Sequence, residues 1–92
     1  MSSDIRETLK ERGSRYGEFQ GHAAIAQALK DVLRSGPSWS LTTPSQREAL
    51  EMICHKMARI VNGDPNYDDS YRDIVGYSQL VVDILHRPTG GA

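Results

Sequence analysis

The 92 residues carry 11 Lys and Arg against 12 Asp and Glu, for a net charge of −1, with 38% hydrophobic and 25% charged residues. That composition suits one small soluble globular domain and excludes a disordered chain, and it gives no field for steering toward a DNA groove or an anionic membrane. The lone Cys54 cannot close an internal disulfide, no apolar run approaches the roughly 20 residues of a membrane span, and MSSDIRETLKERG lacks the apolar stretch of a secretory signal, so a cytoplasmic protein is expected.

Four helices and no strand are expected. The first starts after Ser2 or Ser3 as N-cap, with Asp4 and Glu7 in its first turn, and runs through Ile5, Leu9, Arg12 and Tyr16, with Gly13 and Gly17 pointing to fraying or an end near residue 16. The second spans about Gln20 to Arg34, with Ile25, Ala28, Leu29, Val32 and Leu33 as its apolar stripe, and Ser35-Gly36-Pro37 stops it. In the loop that follows, Trp39 and Leu41 are expected to fold back over the end of the bundle, because an exposed indole forfeits apolar burial. The third helix has the clearest start in the chain: Thr43 as N-cap, Pro44 at the first helical position and Gln46 completing a capping box. Asn62-Gly63 and Pro65 end it. Asp68 or Asp69 opens the fourth helix, which runs to about His86. Residues 1–87 form one domain and residues 88–92 a flexible tail.

Projected at about 100° per residue, Leu50, Ile53, Cys54, Met57, Ile60 and Val61 of the third helix occupy an arc of roughly 120° to 240° from Glu48. Glu48, Glu51, His55, Arg59 and Asn62 lie opposite, with Lys56 beside them. Cys54 projects to the apolar arc, as a core thiol does. On the fourth helix Ile74, Val75, Leu80, Val81, Val82, Ile84 and Leu85 leave only a narrow polar strip around Asp69, Asp73, Gly76 and Asp83. A helix so widely apolar is buried on several sides, which in a chain this short implies a partner subunit. The expected fold is therefore an all-α, four-helix bundle-like domain completed by oligomerisation, at least a dimer, through its third and fourth helices.

The charged stripe admits two interpretations. It is the solvated face of an amphipathic helix, with Glu51 and His55 as an i,i+4 pair; or Glu48, Glu51, Asp69 and Asp73 offer carboxylates to a hydrated Mg²⁺ while Lys56 and Arg59 neutralise phosphate oxygens. Tyr16, Tyr67, Tyr71 and Tyr77 are the candidate ligand-stacking rings, with Tyr16 or Tyr77 taken as the base contact. His22, His55 and His86 are scattered along the chain without a zinc-ligand spacing, and no Walker or dinucleotide-binding glycine motif exists.

The order Arg15-Tyr16-Gly17, Lys56-x-x-Arg59-Ile60, Asp69-x-x-x-Asp73-Ile74-x-Gly76-Tyr77 resembles, over about residues 9 to 85, a family of small helical domains of unknown function common in bacteriophages and prophages. That family is distantly similar to the MazG-like all-α nucleotide pyrophosphohydrolases. The resemblance implies a multimeric helical bundle that binds Mg²⁺ and cleaves nucleoside triphosphates to monophosphates and pyrophosphate, in a host bacterial cytoplasm. Glu48-x-x-Glu51 matches the first metal motif of those enzymes; Asp69 and Asp73 depart from the second, being Asp for Glu and one residue further apart. A non-catalytic accessory protein that sequesters a nucleotide signal or binds a host protein, and a purely structural helical oligomer, stand beside the hydrolase.

Overall fold

The computed structural model describes residues 2–87, and the flexible tail expected at residues 88–92 lies outside them. Helices α1 (Ser2–Tyr16), α2 (Phe19–Arg34), α3 (Pro44–Asn62) and α4 (Asp69–Leu85) follow in chain order, with a short 3₁₀ turn at Trp39–Leu41, and no strand occurs among the described residues. The all-α expectation and the four helix boundaries agree with this to within a residue or two. The cap expected at Ser2 or Ser3 lies outside the described side chains.

Local chemistry accounts for the boundaries. Thr43 Oγ1 accepts from the Gln46 backbone N–H at 3.2 Å while the Thr43 N–H donates to Gln46 Oε1 at 2.9 Å, so two of the free donors at the start of α3 are satisfied reciprocally. Asp68 takes the N-cap position of α4, but its carboxylate pairs with Arg72 at 2.9 Å instead of capping. Gly17 stands between α1 and α2 with φ +77°, a conformation that side chains with a Cβ adopt only at a cost.

Tyr16, Gly17 and Glu18 form an elbow that the end of α3 holds in place. Asn62 Nδ2 donates to the carbonyl oxygens of Tyr16 at 2.8 Å and Glu18 at 2.9 Å. The next segment adds a third bond, from Asp64 N–H to the Arg15 carbonyl at 2.7 Å. A side chain on Gly63 would meet the backbone of Arg15 and Tyr16, so the chain passes there only because the position has no Cβ.

The four helices are bundle-like but open. α3 is central, with α2 on one side and α4 on the other, while α1 touches the body mainly through its last turns. The radius of gyration is 16.2 Å, against about 12 Å for a compact domain of this length. α2 and α4 do not close over the apolar arc of α3; they flank it. Ala49 and Ile60, at roughly 100° and 120° from Glu48, are buried on one side, and Cys54 and Ala58, at roughly 240° and 280°, on the other. The middle of the expected arc stays open, and Val61 is 69% exposed.

The core is correspondingly small: Ala26, Ala49, Cys54, Ala58 and Ile60. On α2 the buried line is His22 and Ala26, whereas Val32, expected in the stripe, is 71% exposed and Ala28 is exposed too. Trp39 is half-buried beneath the Arg47 guanidinium, 5.9 Å from the ring centroid, but Leu41, expected beside it, points to solvent. The widely apolar α4 is not covered within one chain, since Val75, Leu80, Val82, Ile84 and Leu85 are all exposed. Gly76 likewise meets nothing: a Cβ added there would find open space.

Candidate functional site: a cavity under the helix elbow

Three elements meet at the elbow and border a half-open cavity of about 450 Å³, lined by Arg12 and Tyr16 of α1, Phe19 and His22 of α2, and His55 and Arg59 of α3, among others. Its size lies within the range of small-molecule sites. The Arg59 guanidinium lies over the Tyr16 ring, 4.4 Å from its centroid. Tyr16 also meets Tyr67 of the α3–α4 loop at 6.0 Å between centroids, and Arg15 covers Tyr67 at 4.4 Å. Stacking of this kind orients a guanidinium and leaves its edge N–H groups free to bind an anion.

Behind Arg59 the two helices bring two imidazoles together. His22 Nε2 and His55 Nδ1 share a hydrogen bond at 3.2 Å, with the rings edge-on at 83°. His22 is only 5% exposed, and its Nδ1 has no hydrogen-bond partner. Burial, then His22 itself, then the cations Arg59, Lys56 and Lys30 push the His55 pKa down to about 4. Burial and the same cations lower that of His22. Both rings are therefore neutral near pH 7.

Of the residues expected to form a site, the structure unites some and separates others. Arg59 and Tyr16 share the cavity. Lys56 and Asp73 meet across α3 and α4 at 2.9 Å, with the lysine side chain 12% exposed, so the ammonium expected to bind phosphate already has a carboxylate partner. Glu51 turns to Arg34 of α2 at 3.2 Å and does not pair with His55. Glu48 lines a separate surface groove with Tyr77 and Leu80 of α4, which places Tyr77 away from Arg59 and Tyr16. Asp69 is exposed at the start of α4 and makes no ion pair among the described residues.

The carboxylates Glu48, Glu51, Asp69 and Asp73 thus do not gather. Among the described residues no three His, Cys, Asp or Glu side chains are placed to hold one ion. Mg²⁺ requires oxygen ligands converging at close to octahedral geometry. With Glu51 and Asp73 each neutralised by a different cation, this donor set does not fit one Mg²⁺ within a single chain. Cys54 lies in the core at 2% exposure, and burial raises its thiol pKa, as befits an inert core residue.

The pairing of His22 with His55 was not legible from spacing, since 33 positions separate them. One signal existed. His22, Ala26, Leu29 and Leu33 follow i, i+4, i+7, i+11, which marks a face of α2 with a histidine at its head. Arg12 shares the i, i+4, i+7, i+11 line of Ile5, Leu9 and Tyr16 on α1, whereas Phe19 carries no such signal, because its place in the cavity depends on the bend at Gly17.

No helix among the described residues is long and apolar enough to cross a membrane. No curated protein and no solved structure matches the chain. A family match spans residues 4–85, nearly the whole of the helical domain and every residue of the cavity, and on that match the chain belongs to the family described as domain of unknown function DUF6378.

Proposed function

We propose that this protein binds a nucleotide in the cavity under the elbow and holds it without a metal ion. The observation that carries this is the convergence of Arg59, stacked on Tyr16, with Arg12, His55 and Phe19 around one cavity. Guanidinium N–H groups complement phosphate oxygens in number and geometry. Tyr16, whose ring is taken by Arg59, orients that guanidinium, while Phe19, 78% exposed, offers an aromatic surface for a base. The similarity of the motifs to small phage helical domains, and more distantly to MazG-like enzymes, supports a nucleotide over other phosphorylated ligands. The separated carboxylates favour the sequestering protein over the Mg²⁺-dependent pyrophosphohydrolase.

Calorimetric titration with nucleoside mono- and triphosphates, with and without a chelator, tests the proposal. Binding is expected to persist in the chelator without pyrophosphate release, and Arg59→Ala is expected to weaken it roughly tenfold or more, the scale of a lost charge-assisted hydrogen bond. Absence of binding by every nucleotide would overturn the proposal. Pyrophosphate release only with Mg²⁺ would replace it with the hydrolase.

The same proposal includes a homo-oligomer. Among the described residues five small or medium side chains make up the buried apolar core, while Val61, Val75, Leu80 and Leu85 remain between 59% and 69% exposed. Each branched aliphatic side chain gains about 1.5–3 kcal/mol on full burial, so covering the open ridge of α3 and the outer face of α4 with a second copy stabilises both. Light scattering at micromolar concentration is expected to give at least a dimer, and replacing Val75 and Leu80 with Glu should return a monomer. A monomeric wild type would refute this part alone.

A further inference from the structure

The cavity contains a polar device that the arginines and aromatic rings do not explain. Only one hydrogen fits between His22 Nε2 and His55 Nδ1 at 3.2 Å, so in the neutral pair one ring donates and the other accepts. If His55 donated, His22 would carry its own hydrogen on Nδ1, a sealed nitrogen with no acceptor. An orphaned buried N–H is the costlier arrangement, because imidazole nitrogen tolerates an unfilled lone pair better than an N–H tolerates lacking an acceptor. The favoured arrangement has His22 Nε2–H donating to His55 Nδ1. The remaining hydrogen of His55 is then on Nε2, which makes no hydrogen bond among the described residues.

We infer that His55 Nε2–H is a third contact to the ligand phosphate, beside Arg12 and Arg59, and that His22 is a positioning residue whose hydrogen bond fixes His55 as the donor tautomer. The inference rests on the proposed nucleotide site and assigns its ends: the phosphate lies against the α3 wall of His55 and Arg59, and the base toward Phe19. It also gives a reason for placing a histidine at a site 5% exposed, where an apolar residue would pack without an unpaired nitrogen. Fixing the orientation and tautomer of one imidazole through a hydrogen bond to its other nitrogen is a general way of making it a reliable donor.

Long-range ¹⁵N–¹H correlation spectra of the histidine rings, on the free protein and with a nucleoside 5′-monophosphate added, test the idea, together with calorimetry on variants. The free protein is expected to show His55 protonated at Nε2 and His22 at Nε2, with the His55 Nε2 resonance moving on addition of the monophosphate. His55→Ala is expected to weaken binding roughly tenfold. His22→Gln retains an N–H donor for His55 Nδ1 and should preserve both the tautomer and the affinity. His22→Leu should lose the tautomer preference and weaken binding toward the level of His55→Ala. His55 protonated at Nδ1, or binding by His55→Ala equal to wild type, would overturn the inference while leaving the nucleotide site intact. No binding by the wild type would overturn the site itself and this contact with it.

Discussion

Gly17→Ala is expected to destabilise the protein by about 3 kcal/mol, the sum of a left-handed backbone penalty of roughly 1–2 kcal/mol for a residue with Cβ and the partial loss of the hydrogen bonds at the elbow, each worth about 0.5–1.5 kcal/mol. The glycine adopts φ +77°, and a Cβ there would run into the backbone carbonyl and side-chain amide of Asn62. Relief requires the elbow to move off Asn62, which breaks the bonds from its Nδ2 to Tyr16 and Glu18. Gly13→Ala supplies the contrast. That glycine lies within α1 and has nothing within 4 Å of an added Cβ, so alanine there should stabilise by up to about 1 kcal/mol through helix propensity. Urea unfolding, with hydrogen exchange of the α1 amides, measures both variants. Equal midpoints would show that the elbow is not under this constraint. The functional link is direct, since moving the elbow displaces Arg12, Tyr16 and Phe19, three walls of the cavity.

Acid should also unfold the protein through the histidine pair. His55 has its pKa pushed down to about 4 from the ordinary 6.5, and that of His22 is lowered as well. A base whose folded pKa lies below its unfolded one favours the fold in its neutral form. The resulting stability is fully present above pH 6.5 and is lost as pH falls from there toward 4. The loss from His55 is roughly 2–3 kcal/mol. The charges around the pair act in the same direction: Arg12 on α1, Lys30 on α2, and Lys56 and Arg59 on α3 oppose a further positive charge. Glu18, between α1 and α2, also lines the cavity, and Asp73 on α4 is paired with Lys56. Urea unfolding at pH 7 and pH 4.5 of wild type and His55→Gln measures the effect, since the difference between the two proteins removes the contribution of the carboxylates. The variant should lose less stability on acidification. Parallel curves would rule the pair out as its source.

The two predictions differ in how far the sequence anticipates them. The Tyr16-Gly17 helix end is readable directly, because a glycine after the last periodic residue is a local stop signal. What holds the bend is less readable: Asn62 carries a C-terminal stop signal of its own, and nothing in its spacing indicates that its amide serves a different helix. The capping box at Thr43–Gln46 is fully local and matches the structure bond for bond. The apolar arc of α3 is half right for a related reason. Periodicity gives the direction of each side chain around the helix axis, and it placed Cys54 and Ile60 inward correctly. It does not say that two neighbours would flank the arc and bury Ala49 and Ala58 in place of Leu50 and Val61. Small residues permit a close helix approach, and hydrophobic periodicity gives them little weight.

The charged residues show the same division. The segregation of Glu48, Glu51, Lys56 and Arg59 on α3 follows from angle alone, and with Asp69 and Asp73 of α4 it points to one cluster. Packing distributes them: Glu51 to Arg34, Lys56 to Asp73, and Arg59 to Tyr16. Residues close along the chain set the helices, their ends and the elbow glycine, because each depends on interactions within a few positions. Packing between segments remote in sequence sets which side of α3 meets which helix, buries the Cys54 thiol, and so determines which cation is neutralised and which faces a cavity. It alone joined His22 to His55. Helical periodicity fixes an angle about an axis, whereas a site requires the distance between two axes, and that distance is set by the packing of side chains remote in sequence.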